Sequence, residues 1–299
     1  MQTANRQRPP PGTLFLDHVS HFVPELDATA RALQALGFTV TPVSAQQTQD
    51  GPAGTSNVCV MLKEGYLEFL APTADTANAA RLRTTMQRYP GVHLACFGTP
   101  AAEDEHARLG WHGFEPQPLV QLERPVEVDG GPASARFKVA RAAPDRMPEG
   151  RIQFVEHLTP EALWQSRYLG HANRVTRLAC VFAVADDVAQ VAARWARFAA
   201  LLPQRAGRFA HLETARGHVL IGTRDDWVAL LGHAAPAPGL CGYALECSEP
   251  GALVSRCERL GMRLRRLRDN LYAATLPDAL GGAWIFGTRG ALAFPTRAR

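Results

Sequence analysis

Apolar and polar positions along this chain recur in four stretches that share one plan. Each has an apolar strand, a helical segment, and then further strands. The first opens with Leu14-Phe15-Leu16-Asp17-His18-Val19 and predicts a helix over Leu26–Leu36 closed by Gly37-Phe38. A polar loop over Ser44–Thr55 follows. Two strands come next, Asn57–Leu62 and Tyr66–Leu70, joined by the turn Lys63-Glu64-Gly65. A linking helix is predicted within residues 73–89.

The second stretch opens with Gly91-Val92-His93-Leu94-Ala95-Cys96, has a helix over Ala101–Leu109 and steps through Gly113-Phe114. Its strands are Leu119–Val128, Ala133–Ala140 and Arg151–Val155. The third opens at Val175 with a helix over Val188–Leu202 and strands through Leu220. The fourth opens with Gly242–Glu246, has a helix over Gly251–Leu260 before Gly261-Met262, and closes on Gly282–Gly287.

A strand-helix-strand-strand-strand unit cannot bury its sheet face alone, so the units must pair. The expected fold is α+β: four βαβββ modules forming two curved mixed sheets. Expected boundaries are a disordered tail over residues 1–12, an N-terminal domain over 13–165, a linker over 166–174 and a C-terminal domain over 175–290.

Pairing the first two units brings distant side chains together. His18 and His93 stand at matching points of their opening strands, and Glu68 is a charge in an otherwise apolar strand. A lone strand histidine is usually a hydrogen-bonded core residue. Two at related positions with a strand carboxylate point instead to a metal, because a buried unpaired carboxylate is costly. The fourth position stays open: simple register against Glu68 selects Gln153, whereas Glu156 needs a bulge or strand end to come round. His157 shares the face of Gln153. His/Glu ligation suits Zn, Ni, Mn or Fe(II).

The third and fourth units carry Arg177 and about Ala244 at the corresponding points. The second half is therefore expected to be structural or pocket-closing. The segment His157–Asn173 reads as a capped linker packing aromatics between the halves, or as a pocket rim using His157, Trp164 and His171.

Composition narrows the class. The chain has 299 residues, 46% hydrophobic and 20% charged, with a formal charge of +4, which fits a soluble globular protein. The one dense basic cluster, Arg263, Arg265, Arg266 and Arg268, lacks interleaved aromatics, so no nucleic-acid partner is expected. Six cysteines form no CxxC pair and read as buried free thiols of a reducing compartment. No signal peptide and no membrane span are apparent, and a cytoplasmic location is expected. Walker, GxGxxG, GxSxG and HExxH motifs are absent.

Leu16-Asp17-His18-Val19, Leu36-Gly37-Phe38, Gly54-Thr55-Ser56-Asn57 and Gly65-Tyr66-Leu67-Glu68-Phe69-Leu70 resemble the glyoxalase-like branch of the vicinal oxygen chelate superfamily. Arg151–His157 with Thr159-Pro160-Glu161 and Trp164 looks like that family's closing motif. The resemblance implies paired βαβββ modules around a divalent metal held by His18, Glu68 and His93, with Glu156 or Gln153 fourth. It implies a lyase/isomerase or dioxygenase that chelates a small oxygenated molecule through two oxygens, with Glu156 or His157 moving a proton. The family also contains metal-free, bleomycin-resistance-like binding proteins, which is the second expectation. A homodimer built on the second half is the third.

Overall fold

The computed structural model describes residues 6–293. Sixteen strands form two sheets, one per half of the chain. In the first half the strands are β1 (Phe15–Phe22), β2 (Ser44–Thr48), β3 (Gly51–Met61), β4 (Tyr66–Pro72), β5 (Gly91–Gly98), β6 (Val120–Val128), β7 (Gly131–Arg141) and β8 (Arg151–His157). Helices α1 (Leu26–Ala35), α2 (Ala77–Met86) and α3 (Ala102–Trp111) connect them. The strands close into a barrel in the order β1-β4-β3-β2-β6-β7-β8-β5. Antiparallel β1·β5 and β2·β6 pairs seal the two modules together.

The expected polar loop at Ser44–Thr55 is strand instead. Ser44–Thr48 bridges the modules as β2, so its polar side chains serve the barrel rather than solvent alone.

The Gly-aromatic steps close α1 and α3 identically. Gly37 and Gly113 take left-handed φ of 85° and 75°, and the next amides, Phe38 and Phe114, each return at 3.0 Å to the carbonyls of Leu33 and Leu109. A left-handed turn of this kind satisfies the orphan carbonyls at a helix end and carries almost no penalty at glycine. It also buries the following ring.

In the second half β9 (Val175–Val184), β10 (Pro203–Ala206), β11 (Phe209–Glu213) and β12 (His218–Gly222) form the third module. Strands β13 (Gly239–Cys247), β14 (Leu264–Arg268), β15 (Leu271–Thr275) and β16 (Ala283–Gly287) form the fourth, and the eight make one sheet joined at β9·β13. Helices α4 (Val188–Ala199), α5 (Arg224–Leu231) and α6 (Pro250–Arg259) pack around it.

The largest core joins the halves. Val19, Phe69, Val92 and Phe97 from the barrel share one buried cluster with Val181, Tyr243, Leu245 and Trp284. His21 stands within it: its Nδ1–H donates to Leu280 O at 2.8 Å, and the Tyr243 hydroxyl donates to Nε2 at 3.1 Å. A second cluster fills the other face of the second sheet, where Trp227 of α5 stacks on Phe182 and packs against Phe209. That face is a packed apolar core.

Arg177, expected at the position matching His18, pairs with Glu64 at 3.1 Å and Glu246 at 3.7 Å. The β9·β13 register slips at Ala179, which brings Arg177 opposite Glu246. Ala244, by contrast, sits opposite Cys180 in the same apolar cluster.

Of the expected tail, residues 1–5 lie outside the described residues. Residues 6–12 form turns against the barrel: Gln7 is buried and donates to Lys63 O, and Arg8 donates to Leu158 O. The expected linker is likewise packed down. The Trp164 indole donates to Leu62 O at 3.1 Å, and His171 bonds Met61 O and the Thr39 amide. Thr159-Pro160-Glu161 starts only a 3-10 turn, Pro160–Ala162.

All six cysteines are buried and unpaired. No helix among the described residues is long and apolar enough to cross a membrane.

Candidate functional site

The barrel interior holds a ring of polar side chains built by strand alternation. Along β1 and β4 the inward positions include His18, Ser20, Tyr66 and Glu68, with Ser20 opposite Glu68 in the parallel pair. On β5 and β8 they are Cys96 and Gln153, which pair with each other, and Cys96 in turn sits opposite His18. Asn57 on β3, Gln46 on β2 and Arg124 on β6 complete the wall of a cavity of about 40 Å3. That is room for a few water molecules.

The charged members of the ring are held by neighbours. The Glu68 carboxylate accepts from Asn57 Nδ2 at 2.6 Å, from Gln46 Nε2 at 3.2 Å and from the Ser20 hydroxyl. Arg124 donates to Asn57 Oδ1 at 2.8 Å and lies over the Phe137 ring. A buried carboxylate is thus stabilised by donors and a nearby guanidinium, which offsets its desolvation.

His18 stacks on Tyr66 and directs Nε2 toward Glu68 Oε2, 4.0 Å away. Its Nδ1–H donates to Asp17 Oδ1 at 2.7 Å. The β1·β5 register slips between Leu16 and His18, so Asp17 is the extra residue of a bulge, and such bulges re-aim side chains. Asp17 also accepts from His157 Nε2 at 3.0 and 3.1 Å. The result is a buried His157–Asp17–His18 chain.

Burial works against charge on both Asp17 and His18, yet the pairing wins. The two imidazoles hold the Asp17 carboxyl well below the usual carboxylate range. Cys96 and Asp17 hold the His18 imidazole well above the usual histidine range. Burial pushes the Cys96 and Cys59 thiols and the Tyr66 phenol up.

The expected four-residue set does not converge. His18 and Glu68 come together; His93 and Glu156 do not join them. The structural repeat between the first two modules is 76 positions, from Phe15 to Gly91, Leu26 to Ala102 and Gly37 to Gly113. That step carries His18 to Leu94, not to His93, and Leu94 packs in the interior cluster. The β1·β5 register slips between Ser20 and His21, so His93 is the extra residue of a second bulge and is turned aside from the ring. His93 instead packs between Tyr89 and Phe22 and donates from Nε2 to Tyr89 O at 2.8 Å.

Glu156 lies on the other face of β8 from Gln153, as alternation requires. Its Oε2 accepts from the Ala102 amide at 3.0 Å, placing a carboxylate at the N-terminus of α3. β8 pairs with β5 and β7 without a register slip, so nothing turns Glu156 inward. His157 does face inward, but its Nε2 is committed to Asp17, away from Glu68.

Residues 16–199 match the family described as glyoxalase-like domain. The chain belongs to this family. Among solved structures, a hypothetical protein from Staphylococcus aureus is similar at 12% identity with a TM-score of 0.65, covering 92% of this chain and 99% of that one. The Mn(II)-bound glyoxalase from Novosphingobium aromaticivorans is similar at 10% identity and a TM-score of 0.53, covering 92% and 82%. A mutant of 4-hydroxymandelate synthase from Streptomyces coelicolor is similar at 13% identity and a TM-score of 0.50, covering 93% and 94%. No curated protein matches. The glyoxalase-like fold, a member of the vicinal oxygen chelate superfamily, is therefore common to these chains.

In this glyoxalase-like chain His18, Glu68 and the two inward positions matched to them by the module repeat and strand register, Leu94 and Gln153, are the candidate metal-facing positions. Only the first two are side chains that bind divalent metals well, and catalytic sites of that kind usually take three protein ligands. No group of three His, Cys, Asp or Glu side chains suited to one ion occurs among the described residues. The donor set does not fit a resident metal.

Sequence reasoning passed over Asp17, Asn57 and Arg124. Asp17, a charged residue beside a histidine in an apolar strand, was the one readable signal. Asn57 and Arg124 become visible only once β3 and β6 curve toward each other.

Proposed function

We propose that this chain binds a small oxygenated molecule at the inner ring of its first barrel without a resident metal ion. The observation that carries this reading is Leu94 and Gln153 at the two positions where further ligands would stand. His18 and Glu68 then act as polar, proton-bearing contacts rather than as metal ligands. An imidazolium at His18 offers a proton from Nε2 to a carbonyl or hydroxyl oxygen. Glu68 and Gln153 supply acceptors, and Arg124 offsets negative charge. With room for only a few waters, the ring admits one oxygenated group of a ligand whose body lies at a barrel mouth.

One observation favours the metal-dependent enzyme instead. A carboxylate on Nδ1, as Asp17 is to His18, is the usual way of orienting a ligating histidine. Calorimetry decides between the two. Chelator-dialysed protein titrated with Mn(II), Zn(II), Ni(II) or Fe(II) should take up no stoichiometric ion and keep its Tm. A resident ion at about a hundred times its Kd would add about 2.7 kcal/mol. One ion per chain, lost in His18→Ala and Glu68→Gln, would overturn the proposal.

A further inference from the structure

At one end of the barrel, beyond Gln153, a cavity of about 390 Å3 carries Arg81, Arg88, Arg141 and Arg151 in its wall. Its size is ordinary for a small-molecule site. Arg81 comes from α2 and Arg88 from the turn after it. Arg141 ends β7 and Arg151 begins β8. Four elements thus aim one type of charge at one space.

Among the described residues none of the four is ion-paired with a carboxylate. Their partners are neutral. Arg141 Nε donates to Gln153 Oε1 at 3.2 Å, and Arg151 donates to Asn78 Oδ1 at 3.2 Å while lying over the Phe22 ring. Arg88 donates to the carbonyls of Pro238 at 2.5 Å and Pro148 at 3.5 Å. Burial pushes Arg151 down to about 9 and Arg141 down to about 10; neighbouring guanidiniums add to both, and the Glu68 carboxylate, which forms no ion pair with either, offsets this only in part.

Gathered like charges in a half-buried space are unfavourable without a counter-charge. Packing alone would not select them, because a neutral side chain could make the same bonds to Gln153 and Asn78. Arginine forks match planar or tetrahedral oxyanions, which they grip with paired bonds. We propose that this cavity binds the carboxylate or phosphate group of a small anionic molecule, with Arg141 and Arg151 as inner clamp and the exposed Arg81 and Arg88 as outer pair.

The inference does not rest on the reading of the inner ring. Anion affinity and metal content are separate readouts, so either can fail alone.

The test uses the purified chain with inorganic phosphate, and separately malonate, at ionic strength held constant with sodium chloride. One or both probes should raise Tm saturably. Arg141→Gln and Arg151→Gln should weaken that probe about tenfold or more. In chloride alone they should melt no lower than the unmodified chain, because a repulsion is removed, whereas purely structural arginines would lower Tm. Arg81→Gln, at an exposed position, should weaken binding several-fold without touching the fold. A response to phosphate only assigns a phosphate ester, and a response to malonate only assigns a dicarboxylate. A Tm rise no larger than chloride produces, or one undiminished in the arginine variants, overturns the proposal.

Discussion

Asp17 Oδ1 lies 2.7 Å from Nδ1 of its neighbour His18, and the same carboxylate takes His157 Nε2 at 3.0 Å. One bulge residue in β1 thereby fixes the orientation of the imidazole that faces the cavity. Asp17→Asn should cost about 3 kcal/mol, the scale for breaking a buried charge pair, as read by urea unfolding at pH 6. A cost near zero would mean that the His157–Asp17–His18 chain does not hold the site.

The same pair sets a pH window. His18 is raised in the folded state, so its contribution is complete below about pH 6.5 and declines as pH rises through the folded value. Asp17 is lowered, so its contribution is present above about pH 3.9 and is lost as pH falls. Asp17→Asn should therefore flatten the alkaline decline in unfolding free energy. An unchanged alkaline limb would refute the assignment.

His21 and His93 act in the opposite direction. Burial pushes both down to about 4, so they fold as neutral rings. Their stability is present above about pH 6.5 and falls as pH drops toward 4, at up to about 1.4 kcal/mol per unit for each. His93→Leu should make the acid limb shallower by one proton in a series of melts between pH 7 and pH 4.

Glu68 gathers donors from three strands, so its removal strands them. Glu68→Ala should destabilise by about 3 kcal/mol, leaving Asn57, Gln46 and Ser20 without their acceptor, whereas Glu68→Gln should cost about 1 kcal/mol. Equal losses in a denaturant series would show that the carboxylate, not the hydrogen bonding, matters.

The second sheet is read as scaffold because Trp227 fills it. The indole is fully buried, donates to Ala183 O at 2.8 Å and stacks on Phe182 with centroids 4.6 Å apart. Trp227→Ala should cost about 3–5 kcal/mol in urea unfolding. A cost under 1 kcal/mol would mean this face is loosely packed and open to ligand.

Much of the architecture was legible because its signals are local. Apolar strands, amphipathic helices and the glycines closing α1 and α3 predict βαβββ units wherever they occur, and such units must pair to bury their sheets. His18 and Glu68 were legible too, as polar residues in apolar strands of one unit. The failure at His93 came from a step of 75 instead of 76 between the modules. Helix closures at Gly37 and Gly113 marked the correct spacing, but the histidines themselves drew the comparison.

The sequence by itself determined the repeated plan, the pairing it forces and two inward polar residues, since strand and helix periods are properties of neighbouring residues. Only the tertiary structure decided that Asp17 would turn back onto His18, that Leu94 and Gln153 would occupy the remaining inward positions, and that four arginines from separate elements would share one cavity. Those outcomes depend on bulges, on barrel closure and on contacts between residues far apart in the chain. In a strand a shift of a single residue exchanges inside for outside.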